Sequence, residues 1–110
     1  MDASDILLTD GIDSPFEFVS EFKFSLHHIP TEITVRLYRP LTGRGIMSKQ
    51  SHFIKTPVQI NEYQTSTPGA DSPEEALNRV VQGFLNFYHH AVQAGHKPAE
   101  SWLVPHKSFA

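Results

Sequence analysis

The run from Ser72 to Gly95 constrains the fold of this 110-residue chain more than any other segment. Asp71-Ser72-Pro73-Glu74-Glu75 reads as a helix start. Ser72 supplies a capping oxygen for the free N–H of Glu75, and Glu75 is spaced to reach back to the N–H of Ser72. Pro73 falls at the first helical position, where its missing donor costs nothing. Asp71, Glu74 and Glu75 put negative charge at the positive end of the helix dipole. Gly95 suits the left-handed position past the last turn, and Pro98 cannot prolong the helix. Between these ends, Leu77, Val80, Val81, Phe84, Leu85, Tyr88, Ala91 and Val92 recur with helical period. Asn78, Arg79, Gln82, Asn86, His90 and Gln93 fall on the other side. About 22 residues at 1.5 Å each give a helix of roughly 33 Å. With β-branched Val80 and Val81 and an internal Gly83, it is marginal alone in water. The chain before it must supply a surface for its apolar stripe.

That surface reads as a sheet. Phe16, Phe18, Phe22, Phe24 and Leu26 alternate with Glu17, Val19, Glu21, Lys23 and Ser25, the period of a half-buried strand. Ser20 interrupts the apolar set and marks a thin spot or a bulge. Ile33, Val35 and Leu37 alternate with Thr34, Arg36 and Tyr38 in a second strand, closed by Pro40. Residues 46–56 form a weaker third strand and 58–65 a polar fourth one. Thr67-Pro68-Gly69-Ala70 leads into the helix. The predicted fold is α+β, a four-stranded antiparallel meander with one long C-terminal helix packed on one face, ββββα. In this arrangement the phenylalanine strand meets Leu77, Phe84 and Tyr88. Truncating Phe22 or Phe84 to alanine is then expected to cost about 3–5 kcal/mol.

Residues 15–98 make up the domain, preceded by an acidic leader, 1–14, and followed by an apolar tail, 99–110. Hydrophobic residues are 39% and charged residues 19%, a globular rather than a disordered composition. With no cysteine, the chain has no disulfide, thiolate metal site or cysteine nucleophile. No apolar run approaches the roughly 20 residues needed to cross a bilayer. The start, Met1-Asp2-Ala3-Ser4-Asp5, lacks the pattern of a signal peptide. A cytoplasmic protein is expected.

The net charge of −3 is unevenly spread. Residues 1–21 hold six carboxylates and no Lys or Arg, whereas residues 33–61 carry Arg36, Arg39, Arg44, Lys49 and Lys55 and no acid. This basic hairpin, residues 33–60, with Tyr38 outward beside Arg36, supports single-stranded nucleic-acid binding as one functional reading. Seven histidines support another, a small enzyme or a His-dependent metal protein. His27-His28 and His89-His90 are adjacent pairs, and neither has the i, i+4 spacing of a helical zinc site. G-x-S-x-G and both glycine-rich phosphate loops are absent. No catalytic residue, metal ligand or cofactor is therefore assigned, and the protein is not expected to be an enzyme.

The leading expectation is a non-enzymatic, regulatory protein-binding domain. It would act through a sheet edge, the outer sheet face or the tail, with a homodimer among its assemblies. Trp102 and Leu103, within Ser101-Trp102-Leu103-Val104-Pro105, and the outward Tyr38 and Val19 are the candidate partner contacts. Packing of Trp102 onto the core is the alternative for the tail.

The run Asp71-Ser72-Pro73-Glu74-Glu75-Ala76-Leu77, with the helix to Gly95 and Pro98 beyond it, resembles the helix of HicB-like antitoxin domains. The resemblance covers roughly residues 58–101. That family's D-L-P-G-C-type segment before the helix is replaced here by Gln64-Thr65-Ser66-Thr67-Pro68-Gly69. The resemblance implies a domain that binds and neutralises or tethers another protein. It does not carry over a DNA-binding role.

Overall fold

Ile33, Val35 and Leu37 are fully buried and anchor the middle of the molecule. They belong to β2 (Ile29–Pro40), the central strand of an antiparallel sheet. The computed structural model describes residues 2–63 and 69–109. β1 (Phe16–Leu26) and β3 (Met47–Gln50) flank β2. A second, two-stranded sheet joins β4 (His52–Ile54) to β5 (Leu103–Pro105). The long helix α2 (Pro73–Gln93) covers the inner face, and a short helix α1 (Ala3–Leu7) precedes β1. The class is α+β as expected, but the strands divide three and two rather than forming a four-stranded meander.

Two local causes divide the sheet. At Ser51 the third expected strand breaks in two, and the Ser51 side chain accepts the Thr34 N–H at 2.8 Å. The expected fourth strand over 58–65 is not present as such. Tyr63 makes only an isolated bridge with Ile54, and residues 64 and 65 lie outside the described residues. The C-terminal tail takes that place instead. Lys55 donates its N–H to the Trp102 carbonyl at 2.7 Å, and Leu103 pairs with Ile54. Trp102 stacks edge-on to Tyr88 at 5.9 Å, and Trp102 and Leu103 are buried in the core.

α2 begins and ends by the chemistry of its sequence. The Glu75 N–H donates to Ser72 Oγ at 3.1 Å, and Pro73 occupies the first turn. The return contact differs from expectation. Glu75 Oε2 accepts from the Asp71 N–H at 2.9 Å, one residue earlier than the Ser72 N–H. At the far end Gly95 has φ +93°, with the His96 N–H donating to the Ala91 carbonyl and the Gly95 N–H to that of Val92. This is the double hydrogen bond of a Schellman stop. The buried face holds Ala76, Val80, Gly83, Phe84, Tyr88 and Ala91, while Val92 is exposed. Gly83 costs helix propensity for a reason outside the helix. A Cβ there would stand 2.5 Å from Tyr63 Cε1, so the bare backbone makes room for that ring.

The clearest correction concerns the phenylalanine strand. Phe18 pairs with Tyr38, but Ser20 pairs with Leu37, leaving Val19 as an extra residue. Paired residues share a face, so Phe16 and Phe18 lie with Tyr38 on the outer face, and Ser20, Phe22 and Phe24 lie with Leu37, Val35 and Ile33 on the inner one. Phe24 packs edge-on to Phe84 at 5.9 Å. Phe16, Phe18 and Phe22 are 48%, 55% and 39% exposed, not core. Val19, expected to point outward, packs against the core instead.

The radius of gyration is 16.4 Å. A compact chain of this length would have about 13 Å. The long axis is 57 Å against 24 and 23 Å across. α1 is capped by Asp2 and Asp5 and buries no residue, and Ile6, Leu8 and Ile12 are each about half exposed.

Candidate functional site

β1 stands at the end of its sheet, so one of its edges faces no other strand among the described residues. It is eleven residues long. Edge strands in natural proteins are usually short, charged, bulged or covered, because unpaired N–H and C=O groups invite another strand. β1 has two register shifts, between Phe18 and Ser20 and between Phe24 and Leu26, with a regular ladder from Ser20 to Phe24 between them. Three exposed aromatic rings along it add apolar surface to the open backbone.

The outer face continues from this edge across the sheet. Phe18 stacks edge-on to Tyr38 at 6.1 Å. Tyr38 pairs with Met47, and Arg36 with Lys49. Phe16, Tyr38, Met47, Ser48 and Lys49 line a shallow hollow of about 170 Å³. At its far side the tail returns over the sheet, with Phe109 placed on the Arg36 guanidinium at 4.4 Å.

The charges on β1 and β2 form a ladder. Arg36 Nε donates to Glu21 Oε2 at 2.8 Å, Arg39 reaches Glu17 at 3.4 Å, and Lys23 lies 3.4 Å from Glu32 and 3.9 Å from Glu21. The Arg36 hydrogen bond holds the Glu21 carboxyl below its usual range, and the same bond raises the guanidinium. Exposed pairs of this kind contribute little to stability. Their consequence is to occupy Arg36 and Arg39, two of the five cations of the basic hairpin. Arg44, Lys49 and Lys55 are exposed and have no ion-pair partner among the described residues.

The candidate partner contacts therefore separate. Tyr38 is half-buried on the outer face beside Phe18. Val19 packs inward at the bulge, and Trp102 and Leu103 are withdrawn into the core. Phe16, Phe18 and Phe22 take their place at the surface. The alternation of the strand concealed them, and the only signal that could have found them was polar Ser20 at the point where the faces exchange.

The histidines do not gather. Among the described residues no three of His, Asp and Glu are grouped to hold a metal ion. His27 and His28 close the β1–β2 hairpin, where the His27 carbonyl accepts the Tyr88 hydroxyl at 2.8 Å. His52 Nδ1 lies 2.8 Å from Ser51 Oγ, and burial pushes its pKa below the ordinary value. Because Ser51 Oγ already accepts the Thr34 N–H, its own hydrogen is free for the ring. No carboxylate among the described residues is hydrogen-bonded to that ring. Glu75 is also held below its usual range, first by the Asp71 N–H and then by Arg79 at 2.7 Å, which is a helix-cap arrangement. No described helix is long and apolar enough to cross a membrane.

No protein-family model matches the chain, and neither a curated protein nor a solved structure matches it.

Proposed function

We propose that this chain is a protein-binding domain that recognises its partner by strand addition at the free edge of β1. The observation that carries the reading is an eleven-residue edge strand with Phe16, Phe18 and Phe22 each 39–55% exposed. Backbone groups on the open edge would supply affinity, and the aromatic side chains beside it, Phe16 and Phe18 on the outer face and Phe22 on the inner one, would supply selection. The partner-binding role implied by the HicB-like helix start agrees with this use, which leaves α2 as scaffold. A regulatory role in the cytoplasm fits such a domain.

Phe18→Ser and Phe22→Ser test the reading, because neither side chain is part of the buried core. Wild-type protein and the two variants are compared for the proteins they retain from native extract, with thermal melts as the folding control. Retention lost in both variants, with melting little changed, is the expected result. Equal retention by all three would contradict the proposed edge.

A second reading has its own observation: Phe16, Phe18, Tyr38 and Lys49 share the outer face, an aromatic platform beside a cation. It would serve a single-stranded nucleic acid. Oligonucleotide binding that weakens steeply with salt and falls in Lys49→Ala would support it. Salt-independent or absent binding would remove it.

A further inference from the structure

We infer that the strand added to β1 is β1 of a second copy, running antiparallel about a two-fold axis through Phe22. The inference rests on the strand-addition reading and names its partner. Three-stranded sheets of two chains would join into one six-stranded sheet, by a closed interface that uses the same patch on both copies.

The register follows from residues already placed. The ladder from Ser20 to Phe24 is regular and is bounded on both sides by register shifts, with Phe22 at its centre. An axis through Phe22 sets Glu21 of each copy opposite Lys23 of the other. The two Glu–Lys pairs lie on the outer face, because Glu21 pairs with Arg36 and Lys23 with Thr34 inside the chain. The same axis sets the two Phe22 rings against each other on the inner face, where each is now 39% exposed. Ser20 and Phe24, both inner, also fall opposite one another, so every facing pair of this ladder agrees in side.

Neighbouring registers fail on charge or on geometry. An axis through Glu21 puts two carboxylates face to face, and one through Lys23 puts two ammonium groups together, both destabilising in directly opposed pairs. An axis through Ser20 brings the extra residue at Val19 next to the centre of the new ladder, and one through Phe24 sets Lys23 opposite Ser25, which removes both Glu–Lys pairs and moves the centre to within two residues of the strand end at Leu26. Exposed side chains of Lys23 (53%) and Glu21 (32%) are accessible for the new pairing, although both already touch neighbours in their own chain.

The chain has no cysteine, so a single introduced thiol reports the register directly. Phe22→Cys places two thiols opposite each other at a strand-pair spacing that a disulfide spans. Under mild oxidation it should give a disulfide-linked dimer in high yield, and Lys23→Cys should not. Linkage through Lys23→Cys and not through Phe22→Cys would overturn the register. Sedimentation equilibrium of the wild type should show a concentration-dependent dimer. Because each cross-strand pair counts twice, Lys23→Glu or Glu21→Lys alone should weaken it ~10–100-fold. An equimolar mixture of those two variants should recover a heterodimer, since both facing pairs are then of opposite sign. A wild-type chain that stays monomeric at every concentration overturns the second-copy inference. If that monomer still retains extract proteins that Phe22→Ser loses, strand addition stands with another occupant. If it retains none selectively, both fail.

Discussion

β1 and β2 carry the same kind of alternating apolar pattern and meet opposite fates. On β2, Ile33, Val35 and Leu37 are all fully buried. Their partners on β1 are Phe24, half-buried against Phe84, Phe22, 39% exposed, and Ser20. One more step along β1, past Val19, Phe18 and Phe16 stand on the other face altogether. Alternation assigns a side chain to a face only while the ladder is regular. Burial depends further on a third layer, and α2 lies over β2 rather than over the far edge of β1. The larger apolar side chains thus sit on the strand that the helix covers less, which leaves apolar surface along that edge to bury against something else.

The contrast is open to mutation, and the largest expected effect is on the covered side. Phe84 is 1% exposed at the centre of the helix–sheet contact. Phe84→Ala should cost about 3–5 kcal/mol in chemical denaturation, a large part of the roughly 5–15 kcal/mol that stabilises a domain. If Phe22→Ala cost as much, the two sides would not differ. At 39% exposure it should instead cost about 1 kcal/mol in the monomer.

Next in size is the Gly83 contact. Gly83→Ala should destabilise by about 1–3 kcal/mol because the new Cβ meets Tyr63, despite the better helix propensity of alanine. In a Tyr63→Ala background the same change should become stabilising by up to about 1 kcal/mol. A penalty that persists without the ring would refute the Tyr63 explanation.

The hairpin that joins the two strands predicts a smaller gain. His28 holds φ +64° without being glycine. His28→Gly should stabilise by about 1 kcal/mol, and a β-branched residue there should destabilise, both read from denaturation midpoints. The smallest expected effect is that of Phe18→Ser on folding, within about 0.5 kcal/mol, since its ring is already more than half exposed. A loss of several kcal/mol would return Phe18 to the core.

Most of what could be read from the sequence was local chemistry. Ser72, Pro73 and Gly95 define α2 through hydrogen bonds within a few residues, and those bonds are present. Even there, the Glu75 carboxylate chose the Asp71 N–H over the neighbouring one. Ile33, Val35 and Leu37 were legible because β2 is regular where it is covered. Pairing of β4 with β5 was harder to see, since about fifty residues separate Phe53 from Val104 and the segment 58–63 offered a nearer rival. The sequence around Trp102 suits both a partner contact and packing onto the core, and only the fold selects core packing. Gly83 looked like a weak point until Tyr63 was brought to it by the bridge with Ile54. The candidate site was the least legible part, because one extra residue at Val19 moves two phenylalanines from the expected core to the surface.

That exchange of faces is the centre of the account, and thiol labelling measures it most directly. Phe18 and Phe24 lie an even number of residues apart and would share a face in an unbroken strand. In this cysteine-free chain, Phe18→Cys and Phe24→Cys can be labelled one at a time under native conditions. Rapid modification is expected at position 18 and marked protection at position 24, with the difference abolished by denaturant. Equal native rates at the two positions would contradict it.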